Sequence, residues 1–324
     1  MDIQPLVFVG IDIAAKTFTA TWLHQGQSLA KPITFAQTPD GWQSLQQRLL
    51  ATGVAPEQIL VVMEATGSYW ITGATTLVAA HFRVSVINPA QAHYFAKALL
   101  KRSKTDAIDA ATLAQLLQPA SWTPPPAVYH EVQQRLHQRE ALLAMRQQVR
   151  NQRHALLQHP IVVTAVHDRM DVLITTLTEQ IAAVEAEIAT ALDQDAAWAA
   201  AAKRLQTIPG IGVLTAATLL TTTLKFTVCD TAEATASYAG LVPREWSSGT
   251  SIARTARIGH TGNTQLRTSL YLATLSACRH NPIIKPFYDR LRAKGKRNKV
   301  ARCAAARKLL PGIQASGTAT AALR

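Results

Sequence analysis

Four carboxylates stand at positions where an acid is awkward without a partner. Asp12 interrupts the nearly continuous apolar run Leu6–Ile13, and a buried carboxylate with neither counter-charge nor metal is costly. Glu64 closes a second apolar run, Ile59–Met63, within Met63-Glu-Ala-Thr-Gly67. Asp106 and Asp109 lie three positions apart in a helical stretch, which puts both on one face. Two strand-borne and two helix-borne carboxylates converging at one end of a sheet suit the hard, oxygen-preferring ions Mg²⁺ and Mn²⁺. Paired ions of this kind clamp the attacking and leaving oxygens in phosphoryl transfer. Taken singly, each acid also has a plain structural reading: Asp106 and Asp109 suit a helix N-terminus, and Glu64 suits a strand end.

A second group of residues lies near the other end of the chain. Ser247-Ser248-Gly249 is a turn signal. It is flanked by Arg244, Arg254 and Arg257, with Arg267 following, and guanidinium groups hold phosphates by paired hydrogen bonds. A serine hydroxyl is a weak nucleophile until a base or metal activates it, and no Ser-His-Asp arrangement is legible near Ser248. The distant carboxylate site is then the natural activator. Lys294, Lys296, Arg297 and Lys299 form a dense basic run. From Arg244 to Lys308 there are fifteen Lys or Arg, opposed only by Glu245 and Asp289, so this one segment carries an excess equal to the +13 of the whole chain. Such a balance points to a polyanion, and backbone contact with nucleic acid is the expected use. Ile208-Pro-Gly-Ile-Gly212 between two helical segments resembles a helix-hairpin-helix turn, whose amides would hold a phosphate without reading sequence.

The elements that must position these residues are legible in outline. Leu6–Ile13, Thr17–Leu23, Ile59–Met63 and Arg83–Ile87 read as strands; Thr38–Leu50, Ala90–Leu100 and Thr105–Leu117 read as helices. This is a mixed α/β domain. Thr123-Pro-Pro-Pro126 marks a boundary. Beyond it Val166, Met170, Leu173, Leu177, Ile181, Val184 and Ile188 form a heptad-like seam. Tyr129–Leu157 is a candidate partner helix with arginines at 135, 139, 146, 150 and 153 that could line RNA. The seam is equally consistent with an intramolecular hairpin and with pairing between chains. A third region begins near Ala196, and Gly312–Arg324, small and polar, is expected to lack fixed structure. The 324 residues thus divide into residues 1–122, 123–195 and 196–324. Three widely spaced cysteines form no disulfide framework and no zinc spacing, and no apolar run approaches the length of a membrane span. The expectation is a cytoplasmic protein with reduced thiols and no membrane partner.

Ordered motifs sharpen this outline. Gly10-Ile-Asp-Ile-Ala14 with Lys16, Glu64-Ala-Thr-Gly-Ser-Tyr69, Val86-Ile-Asn-Pro89 and Lys104-Thr-Asp-Ala-Ile-Asp-Ala110 resemble the N-terminal motifs of the DEDD-type insertion-sequence transposases of family one hundred and ten. Ile208–Gly212, Tyr238-Ala-Gly-Leu-Val-Pro243, Ser247-Ser-Gly249 and Gly262-Asn263 ahead of Leu266-Arg267 resemble that family's transposase domain. The resemblance implies an RNase H-like (RuvC-like) N-terminal domain with Asp12, Glu64, Asp106 and Asp109 as ligands of Mg²⁺ or Mn²⁺. It implies a helical coiled-coil connector and a mainly α C-terminal transposase domain, with Ser248 as the nucleophile that forms a phosphoserine link to DNA. It further implies donor and target DNA as substrates, a guide (bridge) non-coding RNA as partner, and a homo-oligomer, dimer or tetramer. Lys104, Arg244, Arg254, Arg257 and Arg267 join the basic run as candidate nucleic-acid contacts. Three other readings compete: a structure-selective nuclease that uses water at the same carboxylates, an actin-like kinase, for which no further glycine-rich phosphate loop is found, and a non-catalytic nucleic-acid binder.

Overall fold

The computed structural model describes residues 4–24, 30–99, 105–115, 122–248, 252–259 and 261–318. The chain divides into two compact units, 1–124 and 125–324.

The first unit is built on five strands: β1 (Val7–Ile13), β2 (Thr17–His24), β3 (Ile33–Ala36), β4 (Ile59–Glu64) and β5 (Arg83–Ile87). They lie in the order β3-β2-β1-β4-β5, with β1–β2 and β2–β3 antiparallel and β1–β4 and β4–β5 parallel. Side chains alternate between the two faces of a strand, and here both faces are covered. Val7, Val9, Ile11, Ile59, Val61 and Met63 enter one core with Trp42, Leu45 and Leu49 of α1 (Pro39–Leu50) and with Ala74 and Leu77 of α2 (Trp70–Ala79). Phe8, Leu60, Val62 and Ile87 enter another with Ala92 of α3 (Pro89–Ala98) and Leu113 of α4 (Asp106–Gln115). Burial on both faces is why β1 and β4 read as continuous apolar runs. Helix starts follow their caps: Thr38 Oγ1 accepts from Gly41 N–H, and Asn88 with Gln91 forms a capping box.

The sheet and α4 meet through bare backbone. A Cβ on Gly10 would overlap the Ala110 carbonyl oxygen and the Ala114 amide nitrogen. The helix therefore lies closer to β1 than any side chain at that position permits.

The second unit is helical apart from one ribbon. Helices α5 (Ala127–Leu156) and α6 (Thr164–Asp193) pack against each other within the chain as a long hairpin. Of the seam residues, Leu177, Ile181, Val184 and Ile188 are buried, whereas Leu173 is 45% exposed. The buried half is the half that joins the core formed with α7 (Ala196–Gln206), α8 (Val213–Thr222), α9 (Ala232–Tyr238), α10 (Thr264–His280) and α12 (Asn298–Thr318). The arginines expected to face RNA instead tie the hairpin together. Arg139 Nε lies 2.6 Å from Glu185, Arg135 Nε 3.2 Å from Glu187, and Arg153 engages both carboxylate oxygens of Asp171. Arg146 Nη1 donates to the Thr178 hydroxyl at 3.3 Å, so that three of the five pair with acids and one with a hydroxyl across the hairpin.

Two features differ from the sequence-based expectation. The ribbon β6 (Arg244–Ser248) with β7 (Ile252–Arg257) adds strand structure to a region expected to be mainly helical. The end of the chain is also ordered further than its composition suggests: Gly312–Thr318 continue α12, with Ile313, Gln314 and Gly317 buried. The small residues there serve close packing, because a Cβ on Gly317 would overlap the Phe226 ring. Gln314 donates to the Cys229 carbonyl at 3.1 Å and accepts from Thr235 Oγ1 at 3.2 Å. Among the described residues no helix is long and apolar enough to cross a membrane.

Replacing Gly10 with alanine forces α4 off β1, a loss of about 3 kcal/mol at the upper end of overpacking costs. Denaturant unfolding of the first unit, followed by the fluorescence of Trp42 and Trp70, should show a clearly lowered midpoint. An unchanged midpoint would contradict the close approach.

Candidate functional site

The four sequence-derived carboxylates come together on one face of the sheet. Gly10 and Asp12 are two residues apart on β1 and therefore share a face, the one covered by α4. Glu64 follows Leu60 and Val62 at the same alternation on β4, and the parallel register Ile11↔Met63 sets it beside Asp12. Because Ala110 and Ala114 cross at Gly10, the first turn of α4, with Asp106 and Asp109, lies towards Asp12. Thr105 Oγ1 accepts from the Ile108 N–H at 3.3 Å and starts that turn. The helix N-terminus, with its uncompensated amides, offers partial positive charge to both acids.

The electrostatics register this convergence. Half-buried Asp12 has its pKa pushed up to about 6, first by desolvation and then by the negative charges of Asp106, Asp109 and Glu64. Yet among the described residues no three His, Cys, Asp or Glu groups close to the spacing of a metal cage. The two observations concern different distances: charges are felt across roughly a Debye length, whereas ligation needs oxygens within about 2.1–2.6 Å of one point. The carboxylates thus form an open cluster of like charge. Glu64 Oε1 meanwhile accepts a short hydrogen bond from Thr66. The donor set, all carboxylate oxygen, fits Mg²⁺ or Mn²⁺, and a cation would offset both the desolvation and the repulsion that raise Asp12.

In the second unit Ser248 is the last residue of β6, in register with Ile252. Arg244 is in register with Arg257, and Trp246 with Arg254. The foot of this ribbon is a crossing of two glycine turns. Gly240 (φ 68°) and Gly262 (φ 99°) both need the left-handed region. A Cβ on Gly262 would lie 2.6 Å from the Gly240 nitrogen, and one on Gly240 would overlap the Thr261 carbonyl. Asn263 donates its backbone N–H to the Tyr238 carbonyl at 2.7 Å and caps α10 by accepting from Leu266 N–H. Arg267 Nη1 donates to the carbonyls of Thr261 (2.9 Å) and Ala239 (3.4 Å), and Nη2 reaches the Thr264 hydroxyl (3.3 Å). Two sequence motifs some twenty residues apart are therefore one clamp, and Arg267 is first of all part of it.

Of the remaining basic candidates, Lys294, Lys296, Arg297 and Lys299 are exposed where α11 (Ile284–Ala293) turns into α12. Lys104 lies outside the described residues. The Ile208–Gly212 turn packs against α10: Gly210 (φ 108°) has room for no Cβ, which would sit 2.9 Å from the Ala273 carbonyl. Gly212, by contrast, precedes α8 in open space, with no side chain capping the helix. The positioning roles of Gly10, Thr66 and Thr105 were missed in the sequence, although the glycine at a strand interior was a signal of close backbone approach.

Residues 9–160 match a family model described as a transposase of the DEDD type from IS110 elements, and residues 202–289 match the transposase IS116/IS110/IS902 family. The chain is 31% identical over 307 residues to a pilin gene-inverting protein of Moraxella bovis, covering 94% of this chain and 93% of that protein. A pilin gene-inverting protein of Moraxella lacunata matches to the same extent. An uncharacterized 43.6 kDa protein of insertion element IS110 from Streptomyces coelicolor is 39% identical over 123 residues, 38% of this chain and 29% of that protein.

The raised pKa of Asp12 has a consequence for stability. The folded state holds a proton that the unfolded state releases between pH 3.8 and about 6, so stability contributed by this group falls as pH rises through that window. Without divalent cation at pH 7.5, Asp12→Asn should stabilise the first unit by about 1.5 kcal/mol, the bare shift being roughly halved for solvent screening. The gain should vanish below pH 4. Thermal melts in chelator at the two pH values check the sign, and a destabilised Asp12→Asn protein at pH 7.5 would refute it.

Proposed function

Because the chain belongs to the DEDD-type IS110 family of transposases and is an enzyme that cuts and rejoins DNA, we propose that it does so through a serine nucleophile, Ser248, assisted by the carboxylate site of Asp12, Glu64, Asp106 and Asp109. The observation that carries this reading is the extent of the similarity. It runs through both units to proteins named for inverting a gene, and inversion requires every cut to be rejoined. A phosphoserine ester conserves the energy of the cleaved phosphodiester, so rejoining needs no nucleotide triphosphate. Water as nucleophile would release that energy and leave a break.

The first unit is read as RNase H-like. Support comes from the mixed five-stranded sheet, with acids at corresponding positions of adjacent parallel strands and on a covering helix. Mg²⁺ or Mn²⁺, held by the four carboxylates, would supply Lewis-acid stabilisation of charge on phosphate oxygens. The residues of the chain set the rest. Gly10 fixes the height of α4 above β1, Thr66 holds the Glu64 carboxylate, and Thr105 starts the turn that aims Asp106 and Asp109. In the second unit the Gly240–Gly262 clamp fixes the root of the ribbon that carries Ser248. Arg244, Arg254 and Arg257 lie on the same ribbon and would bind phosphates beside the serine. Lys104, Lys294, Lys296, Arg297 and Lys299 would hold DNA or RNA backbone, and the exposed amides at Gly212 offer one more phosphate contact.

The division into residues 1–122, 123–195 and 196–324 is carried into this reading as a metal-binding domain, a connector and a transposase domain. Donor and target DNA would be selected by a guide RNA. The acting form would be a homo-oligomer, dimer or tetramer, in which the carboxylates of one copy serve the serine of another.

A covalent-trapping assay tests the proposal. Full-length protein, RNA transcribed from the DNA flanking its gene, Mg²⁺ and labelled donor and target duplexes are combined and resolved on a denaturing gel. A slow DNA–protein adduct is expected, abolished in Ser248→Ala and in Asp12→Ala. Cleavage without an adduct, insensitive to Ser248→Ala, would replace the serine recombinase by a nuclease that uses water.

A further inference from the structure

A cavity of about 950 Å³ opens in the second unit at the root of the ribbon, between Pro243 before β6 and Ile258 after β7. Its wall is α12. Lys299, Cys303, Arg307 and Pro311 follow one another at i, i+4 spacing, with Val300, Ala304 and Lys308 as the adjacent row. The opposite side of the same helix, with Ala301, Ala305 and Leu309, is buried in the core. The cavity thus has two chemistries. Arg267, Arg297, Lys299, Arg307 and Lys308 supply five cations, none in an ion pair among the described residues, against the single acid Glu233. Between them the lining is apolar: Leu241, Ile258, Val300, Ala304 and the ring of Phe287. The Phe287 ring carries the Arg290 guanidinium 5.5 Å from its centroid.

A duplex keeps its base faces stacked inside and offers a surface its phosphates, sugars and groove edges, so it would leave the aromatic part of this apolar floor without a stacking partner. An unpaired strand offers both phosphates and base faces, and an electropositive groove with an aromatic platform is the chemistry that holds one. We propose that this cavity binds unpaired nucleotides of a DNA strand, with at least one base lodged on Phe287 and the flanking phosphates on Arg307, Lys308 and Lys299. DNA is preferred over RNA because the cavity adjoins the root of the ribbon that ends in Ser248; to that extent the inference rests on the function proposed above. It assigns Arg307, Lys308 and Phe287 a role in holding an opened strand beside the site of cutting.

Cys303, half-buried in the wall, provides a readout independent of activity, since Cys229 and Cys278 are buried elsewhere. Full-length protein is treated with N-ethylmaleimide at low salt, and modification of each cysteine is followed by mass spectrometry. A twelve-residue oligothymidylate should slow modification of Cys303 at least fivefold, while a duplex of equal length should protect it far less and an oligouridylate no more than the DNA strand. Fluorescence anisotropy should show oligothymidylate binding weakened about tenfold in Phe287→Ala, the size of one lost base–aromatic stack. The exposed pair Arg307→Ala/Lys308→Ala should weaken it comparably without disturbing the core. Equal protection by duplex, stronger protection by oligouridylate, or unchanged affinity in the Arg307/Lys308 variant would each overturn the proposal. Ser248→Ala protein should protect Cys303 as the parent does. Protection with no covalent adduct would therefore sink the serine nucleophile and leave the strand site standing.

Discussion

The first unit depends on a contact in which nothing protrudes. At Gly10 the backbone of β1 and the backbone of α4 approach more closely than any side chain allows, and Ala110 and Ala114 are small enough to let them. This height decides whether the acids at the start of α4 reach the acid two residues further along β1. Hydrophobic burial beneath the sheet is generous and tolerant of exchange. The close approach is neither, because its tolerance is set by hard backbone atoms.

The second unit repeats the solution with other residues. Gly240 and Gly262 cross where only bare backbone fits, and the Arg267 guanidinium and the Asn263 cap fasten the crossing. In the first unit Asp12 is desolvated and then repelled by its neighbours' charge; in the second, Ser248 is the last residue of a short strand in a two-stranded ribbon. The rigidity lies one layer behind them, in glycines and caps, as expected where a site must hold its geometry before substrate arrives.

How much of this could be read from the sequence follows from which forces leave a local trace. Strands buried on both faces announce themselves, so β1, β4 and β5 were legible, and Asp12 stood out as an acid in an apolar run. The α/β character of the first region and the helical character of the rest were equally plain. What was missed was decided at long range. Four-residue β3 exists because β2 offers it an edge. Helix α2 runs through threonines and Gly73, whose bare backbone lies on the Trp42 ring. The end of α12 looked like a small, polar tail, yet Gly317 is small because Phe226 fills the space. The seam on α6 had the right period, but period alone does not say which half meets a core. The arginines of α5 had the right charge for RNA, but the acids that claim them lie some twenty to fifty residues away.

The placement of α12 has a bearing on the order in which the chain acquires its shape. All five strands and the acids of the first unit are encoded before residue 125, and domains form as units during synthesis. The second unit cannot close its core until Leu309, Leu310 and Ile313 have left the ribosome. A nascent chain therefore carries a finished first unit, close to neutral in net charge, while the basic second unit is still open. The carboxylate cluster is thus in place while the residues that close the second unit, nearly two hundred positions further on, are still being made.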